Sequence, residues 1–242
     1  MNHSDMFHEP EYQQQYTSFE KEPIGVYAAK TFAWMGLGLL ITFAVAWIVS
    51  RYTPLGVFVY QMPMMPFILL IVEVLLVMQL HRKVYELGVE QARALFLMYA
   101  VVNGITFSGI LLFFDLNSVI SIFALTSLYF FAMAAYGCFT KRDLTKIIPI
   151  LTFGAFFLLI FWVLSSFLPF SDFERMMSIV GLAIFMGFTA YDTQKIRHFY
   201  QMYDAQSAMG KKLSIIGALA LYLDFINLFV YLLRLVGRGS RD

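Results

Sequence analysis

The chain has 242 residues, 60% of them hydrophobic and 14% charged, with a formal net charge of +1. Soluble domains run nearer ~45–50% apolar and ~25% charged. The composition therefore excludes a water-soluble globular domain; the net charge says nothing about partners, because the charges sit mostly in loops, and no nucleic-acid partner is expected. One cysteine, Cys138, excludes an intrachain disulfide, and no zinc or redox spacing is present.

Residues 1–27 read as a polar cytoplasmic tail, without the apolar core of a signal peptide. Residues 28–237 read as one membrane domain and 238–242 as a short C-terminal tail. Segment 1 runs from Ala28 to Val49, closed by Arg51 and Pro54. Pro63 and Pro66 punctuate the next loop. Segment 2, Phe67 to Leu80, ends in His81-Arg82-Lys83. A polar link, 83–93, leads to segment 3, Ala94 to Phe114, and Asp115 and Asn117 make a tight turn. Segment 4 covers Val119 to Phe139 and stops at Lys141-Arg142-Asp143. Segment 5 runs from Ile147 to Leu168, with Pro149 in its first turn and Pro169 as its stop. Segment 6 covers Met176 to Ile196. A polar loop, 197–212, leads to segment 7, residues 213–236. The expectation is an all-α polytopic membrane protein with seven transmembrane helices. Runs of about twenty residues without strict alternation argue against strands.

Orientation follows from lysine and arginine placement. With the N-terminus inside, 12 of the 17 basic residues fall in cytoplasmic segments and 5 outside. That predicts a cytoplasmic N-terminus and an external C-terminus. Small residues mark expected close helix contacts: Gly36 and Gly38, Gly104 and Gly109, Ala132 to Gly137, Gly181 and Gly187.

Segment 7 carries Asp224 near its middle, where a carboxylate costs roughly 2.5–3.5 kcal/mol to insert. Asn227 and Tyr231 follow at i+3 and i+7, so one face is polar. Such a helix belongs inside a bundle, with the other helices as its wrapper. Three further ionisable residues stand out: Glu73, Arg82 and Asp192. At 1.5 Å per residue, Asp224 lies roughly 18 Å from the cytoplasmic side, Glu73 roughly 13 Å and Asp192 about 5 Å. Taken literally, Asp192 and Asp224 do not meet. They meet if segment 7 enters the membrane near Gly217, or if segment 6 continues as helix toward Tyr200. By depth alone Arg82 pairs with Asp192, and Glu73 sits nearer Asp224.

Each residue also has a plainer role. Asp192 can pair with Lys195 at i+3, Arg82 can snorkel to headgroups, and Glu73 can be a hydrogen-bonded core acid. Glu73, Asn103 and Asn227 are the candidate lining of an ion path. For Asn103 and Thr106, on one face of segment 3, interhelical hydrogen bonds are the alternative. The histidines His3, His8, His81 and His198 have no ligand spacing. No metalloprotease, nucleophile-elbow or phosphate-loop motif is present, so the chain is not expected to be an enzyme or to need a cofactor.

GFTAYDTQKI (187–196), followed by LALYLDFINLFVYLLRLVG (219–237), resembles the paired C-terminal signatures of the Bax inhibitor-1, or transmembrane Bax-inhibitor-motif, family. The short C-terminus resembles bacterial members, which places the chain in a bacterial inner membrane. The resemblance implies two layers of three helices around a central C-terminal helix. It also implies a pH-sensitive calcium leak, gated by two aspartates that share a proton. By motif these are Asp192 in AYDTQ and Asp224 in LYLDFIN, with Ca²⁺ as transported or bound ion. The family's helix-two arginine, partner of the helix-six aspartate, matches Arg82, and its helix-two acid matches Glu73.

The physics fits. Two carboxylates a few ångströms apart in a low-dielectric site cannot both ionise cheaply, and such a pair titrates as a unit. Protonated, it is a hydrogen-bonded latch; deprotonated, it offers hard oxygen ligands to Ca²⁺. The rivals are a non-transporting regulator that binds other membrane proteins, and a cation/proton exchanger.

Overall fold

Lipid offers no hydrogen bonds to a backbone, so apolar runs of this length satisfy their amides internally, as helices. The computed structural model of the chain describes residues 22–52, 61–62, 64–165, 167 and 171–236. Its long helices are α1 (Ile24–Tyr52), α2 (Met65–Arg82), α3 (Val89–Phe107), α4 (Leu116–Phe139), α5 (Ile148–Ser165), α6 (Ser171–Met202) and α7 (Ala208–Val236). Seven helical segments are long and apolar enough to cross a membrane, and no strand occurs among the described residues.

The segment count matches the sequence expectation, and the ends differ in instructive ways. Pro66 lies in the first turn of α2, not in a loop, because proline's missing N–H costs nothing there. The link at 83–93 is shorter than expected: α3 begins at Val89, where the Gly88 N–H donates to Gln91 Oε1 at 2.9 Å. Segment 3 breaks at Ser108–Gly109 and resumes as a four-residue helix, Ile110–Phe113. Asp115 caps α4, accepting from the Ser118 N–H at 3.1 Å. Pro149 stands in the first turn of α5 as expected. Pro54, Pro63 and Pro169 lie outside the described residues. The largest difference is the loop at 197–212. It is mostly helix: α6 continues to Met202 and α7 starts at Ala208, leaving only 203–207 as a link.

The helices form two layers of three with α7 between them. In one layer α3 packs against both α1 and α2; in the other α6 packs against both α4 and α5. The two layers touch each other little, and α7 contacts α1, α3, α4 and, most extensively, α6. α2 and α5 lie outside, away from α7. The burial pattern agrees. α7 is buried around most of its circumference, whereas Ile150 and Phe153 on α5 are about three-quarters exposed, at 73% and 75%. The helix with a polar stripe is the one the others enclose, and one with an exposed apolar face meets lipid.

Small residues set the close approaches, as expected for membrane helices. A Cβ at Gly104 would stand 2.8 Å from the Thr42 carbonyl oxygen of α1, and one at Gly137 would collide with the Ala190 backbone of α6. Side chains fill the space over Gly38, Gly181 and Gly187. Gly36 departs from the expectation, since a Cβ there meets nothing within 4 Å.

Candidate functional site

The ends of α6 and α7 on either side of the 203–207 link are fastened first. Tyr27 donates to the Gly210 carbonyl (3.0 Å), Thr31 bonds Ser214 (2.8 Å) and Tyr200 donates to the Glu22 carbonyl (2.7 Å). Lys212, counted from sequence as a loop charge, is buried and donates to the Leu87 carbonyl at 3.1 Å. These bonds place the start of α7 against α1 and the α2–α3 link, and they fix its depth relative to α6.

That register brings the two aspartates together. The continuation of α6 past Tyr200, one of the two conditions set by the sequence, is met. Asp192 and Asp224 are both buried, at 9% and 4% exposure. The charges of Asp192 and Lys195 both reach Asp224. Lys195 Nζ lies 3.7 Å from Asp192 Oδ1 and also within 5.5 Å of the Phe199 ring centroid. Asp224 Oδ2 is buried and has no hydrogen-bond partner among the described residues. A buried, unpartnered carboxylate oxygen is an expensive feature in any fold.

The rest of the AYDTQK stretch anchors the aspartate. Thr193 donates back to the Thr189 carbonyl at 2.8 Å. Gln194 accepts from the Leu144 N–H (3.0 Å) and donates to the Arg142 carbonyl (2.8 Å), tying α6 to the α4–α5 link. In that link Thr145 gives Asp143 both its hydroxyl and its N–H, at 2.7 and 3.0 Å. Those bonds hold the exposed Asp143 carboxyl below the usual carboxylate range.

A second polar site lies across α7. Tyr222 donates to Asn103 Oδ1 at 3.1 Å and meets Thr42 Oγ1 at 2.6 Å. Thr42 also donates to the Ala100 carbonyl at 2.9 Å. Thr106 donates to Glu73 Oε1 at 2.8 Å, and Asn103 is a further hydrogen-bond partner of Glu73. One chain of hydrogen bonds therefore joins α1, α2, α3 and α7.

Two depth-based pairings need correction. Glu73 does not sit by Asp224; it bonds to α3, because α2 is an outer helix with α3 between it and α7. Arg82 is not brought to Asp192. It is exposed and makes no ion pair among the described residues. The α2 side chain within electrostatic reach of Asp192 is His81, one residue and a helical rotation of about 100° away. Asn227 donates to the Leu223 carbonyl of its own helix at 2.8 Å, and Tyr231 packs over Gly181 and stacks on Phe185. Residues that sequence alone did not single out are Lys195 as a member of the site, His81, Lys212, Tyr222 and Thr42. The i+3 spacing of Asp192 and Lys195 was the one available signal. Among the described residues no cluster of three or more His, Cys, Asp or Glu is disposed to hold a metal ion.

Fold and site together define an integral membrane protein of seven helices, with an acidic site between its buried last helix and α6. The chain belongs to the Bax inhibitor family: the family profile described as "Inhibitor of apoptosis-promoting Bax1" matches residues 25–241. It is 36% identical over 216 residues to "Inner membrane protein YbhL" of Escherichia coli K12, covering 87% of this chain and 91% of that one. It is 32% identical over 216 residues to an uncharacterized protein of Borreliella burgdorferi, covering 89% and 93%. An uncharacterized protein of Lactococcus lactis, YrjE, is 31% identical over 223 residues, covering 90% and 94%.

Proposed function

We propose that the protein is a pH-sensitive calcium leak channel of a bacterial inner membrane, gated by Asp192 and Asp224 acting as one proton-sharing pair. The observation that carries this is the buried, unpartnered Asp224 Oδ2, on a helix packed against the one that bears Asp192. A shared proton would satisfy that oxygen and lock α6 to α7. Losing the proton leaves two like charges in a site of low dielectric, which favours separation of the helices or capture of a cation. Two carboxylates supply part of the six to eight oxygens Ca²⁺ takes, and its own water supplies the rest. Lys195 stands where the ion would bind one of them, so it competes with calcium for Asp192. Glu73, Asn103 and Asn227 fit best as the polar support of the helices beside the path. No enzymatic step and no cofactor enter the proposal.

The N-terminus is taken as cytoplasmic from the excess of basic residues on that side. An impermeant label should reach a tag after Asp242 and not one before Met1; equal access would overturn the orientation. The functional test is calcium flux from liposomes holding the purified protein, across a pH series. Wild type should pass calcium without a pH gradient, at a rate set by pH, and Asp224→Asn should lose that dependence. No flux at any pH favours a non-transporting regulator. Flux only under an imposed pH gradient favours an exchanger.

A further inference from the structure

The turn between α6 and α7 is tight and closed by its own polar groups. The Asp204 carbonyl accepts from the Ser207 N–H (3.1 Å) and hydroxyl (2.6 Å), and Ser207 Oγ accepts from the Gly210 N–H at 2.9 Å. A Cβ at Gly210 would collide with the Asp204 carbonyl oxygen. Residues 22–27, which lead into the first span, grip both sides of this turn. On the α6 side Glu22 supplies the carbonyl to which Tyr200 donates; on the α7 side Tyr27 donates to the Gly210 carbonyl. The Tyr27 and Tyr200 ring centroids stand 5.8 Å apart, so the two grips form one cluster. The gripping stretch is fixed at its own end. The Pro23 carbonyl accepts from the N–H groups of Val26 and Tyr27, at 2.9 and 3.2 Å, and Lys30 donates to Glu22 Oε2 at 2.7 Å. The Glu22 side chain is only 10% exposed, in a stretch whose sequence reads as a polar tail.

We propose that the Glu22–Pro23 stretch is a releasable strap: an intramolecular contact that holds the end of α6 against the start of α7 and, when it lifts, frees α6 to move. The two grips differ in permanence. Tyr27 is buried, and α7 keeps further bonds to the same layer, from Ser214 to Thr31 and from Lys212 to the Leu87 carbonyl. Docking on the α6 side is marginal. It has the Tyr200 bond in its favour, and an ion pair whose Lys30 is 59% exposed, which contributes little. Against these stands Glu22 Oε1, buried and without a hydrogen-bond partner among the described residues. Water satisfies that oxygen once the strap lifts, which offsets the lost bond. α6 is continuous from Ser171 to Met202, so a displacement of Tyr200 is carried to Asp192, eight residues or about 12 Å along the helix. Under the calcium-leak reading above, on which this consequence alone rests, the docked strap opposes opening and its release favours it.

The test is hydrogen exchange by mass spectrometry on the full chain in nanodiscs, with calcium flux measured at one fixed pH on the same variants. Tyr200→Phe keeps the ring and removes the bond to Glu22. Exchange in residues 197–203 should rise several-fold, residues 208–214 should stay as protected as in wild type, and calcium flux should rise several-fold. Fixing the strap should do the opposite. With Glu22→Cys and Tyr200→Cys joined by a short cleavable bis-maleimide in a Cys138→Ser background, flux should fall several-fold and recover on cleavage. Unchanged exchange in Tyr200→Phe, or a rise spread over the whole of α6 and α7, overturns the strap as a local contact. Flux that neither variant moves, in a wild type that conducts, overturns its regulatory role. If wild type passes no calcium at any pH, the channel reading fails, and the exchange pattern still decides whether the strap exists.

Discussion

Tyr222 and Asp224 are two residues apart on α7, about 200° around the helix, so they face opposite layers. Tyr222 looks into the α1–α3 layer, where Thr42 and Asn103 engage its hydroxyl. Asp224 looks toward α6, and its Oδ2 has no partner among the described residues. Both groups are buried and polar, and they differ in satisfaction. A satisfied network rigidifies the helices that share it. An unsatisfied carboxylate lowers stability and persists where something else, a proton or an ion, completes it. The contrast separates a satisfied side of α7 from an unsatisfied one.

The comparison can be broken from either side. Tyr222→Phe removes a hydroxyl serving two partners and leaves Thr42 and Asn103 underbonded in the core. It should cost about 1–3 kcal/mol of stability, seen as a lower melting temperature in detergent, while the pH profile of calcium flux keeps its shape. A lost pH response in that variant would erase the division. Gln194→Ala loses its two bonds to the α4–α5 link. It should cost about 1 kcal/mol, with protease sensitivity rising between Thr140 and Ile147.

Smaller effects sharpen the acidic side. Lys195→Met should raise calcium occupancy by removing the competing cation, by several-fold at low salt. Smaller still are the effects at two neighbouring positions of α2. Arg82→Ala should change flux less than His81→Gln if the side chain nearer Asp192 is the one that acts. A larger leak from Arg82→Ala would restore the role that family resemblance gives it.

The number of spans and the importance of Asp224 were legible because both are properties of one stretch of chain: length, hydropathy, and a carboxylate amid apolar residues. The two-layer arrangement came from resemblance, not from the residues. The helical character of most of 197–212 was hidden because Arg197, His198 and Gln201 look like loop polarity. They belong instead to the end of α6, while Asp204 does lie in the short link that remains. Depth along the chain put Arg82 level with Asp192, but depth says nothing of rotation, and the helix angle leaves His81 rather than Arg82 on the side nearer Asp192. The Tyr222 network was out of reach, because Thr42, Asn103 and Tyr222 come from three helices and share no linear pattern. Lys212 was read as a surface charge because its carbonyl partner, Leu87, is 125 residues away.

The central claim is that Asp192 and Asp224 act as one unit. The most direct measurement is calcium flux against pH for wild type, Asp192→Asn, Asp224→Asn and the double variant, with thermal stability recorded on the same samples. Each single variant should lose most of the pH dependence. The double should be little worse than either, because partners in one site are not additive. At a pH high enough to strip the shared proton, Asp224→Asn should melt no lower than wild type, since it removes one of two like buried charges. Independent, additive losses, or an unchanged pH profile in both single variants, would contradict a shared proton and move the sensor elsewhere, with Glu73 the next group to test.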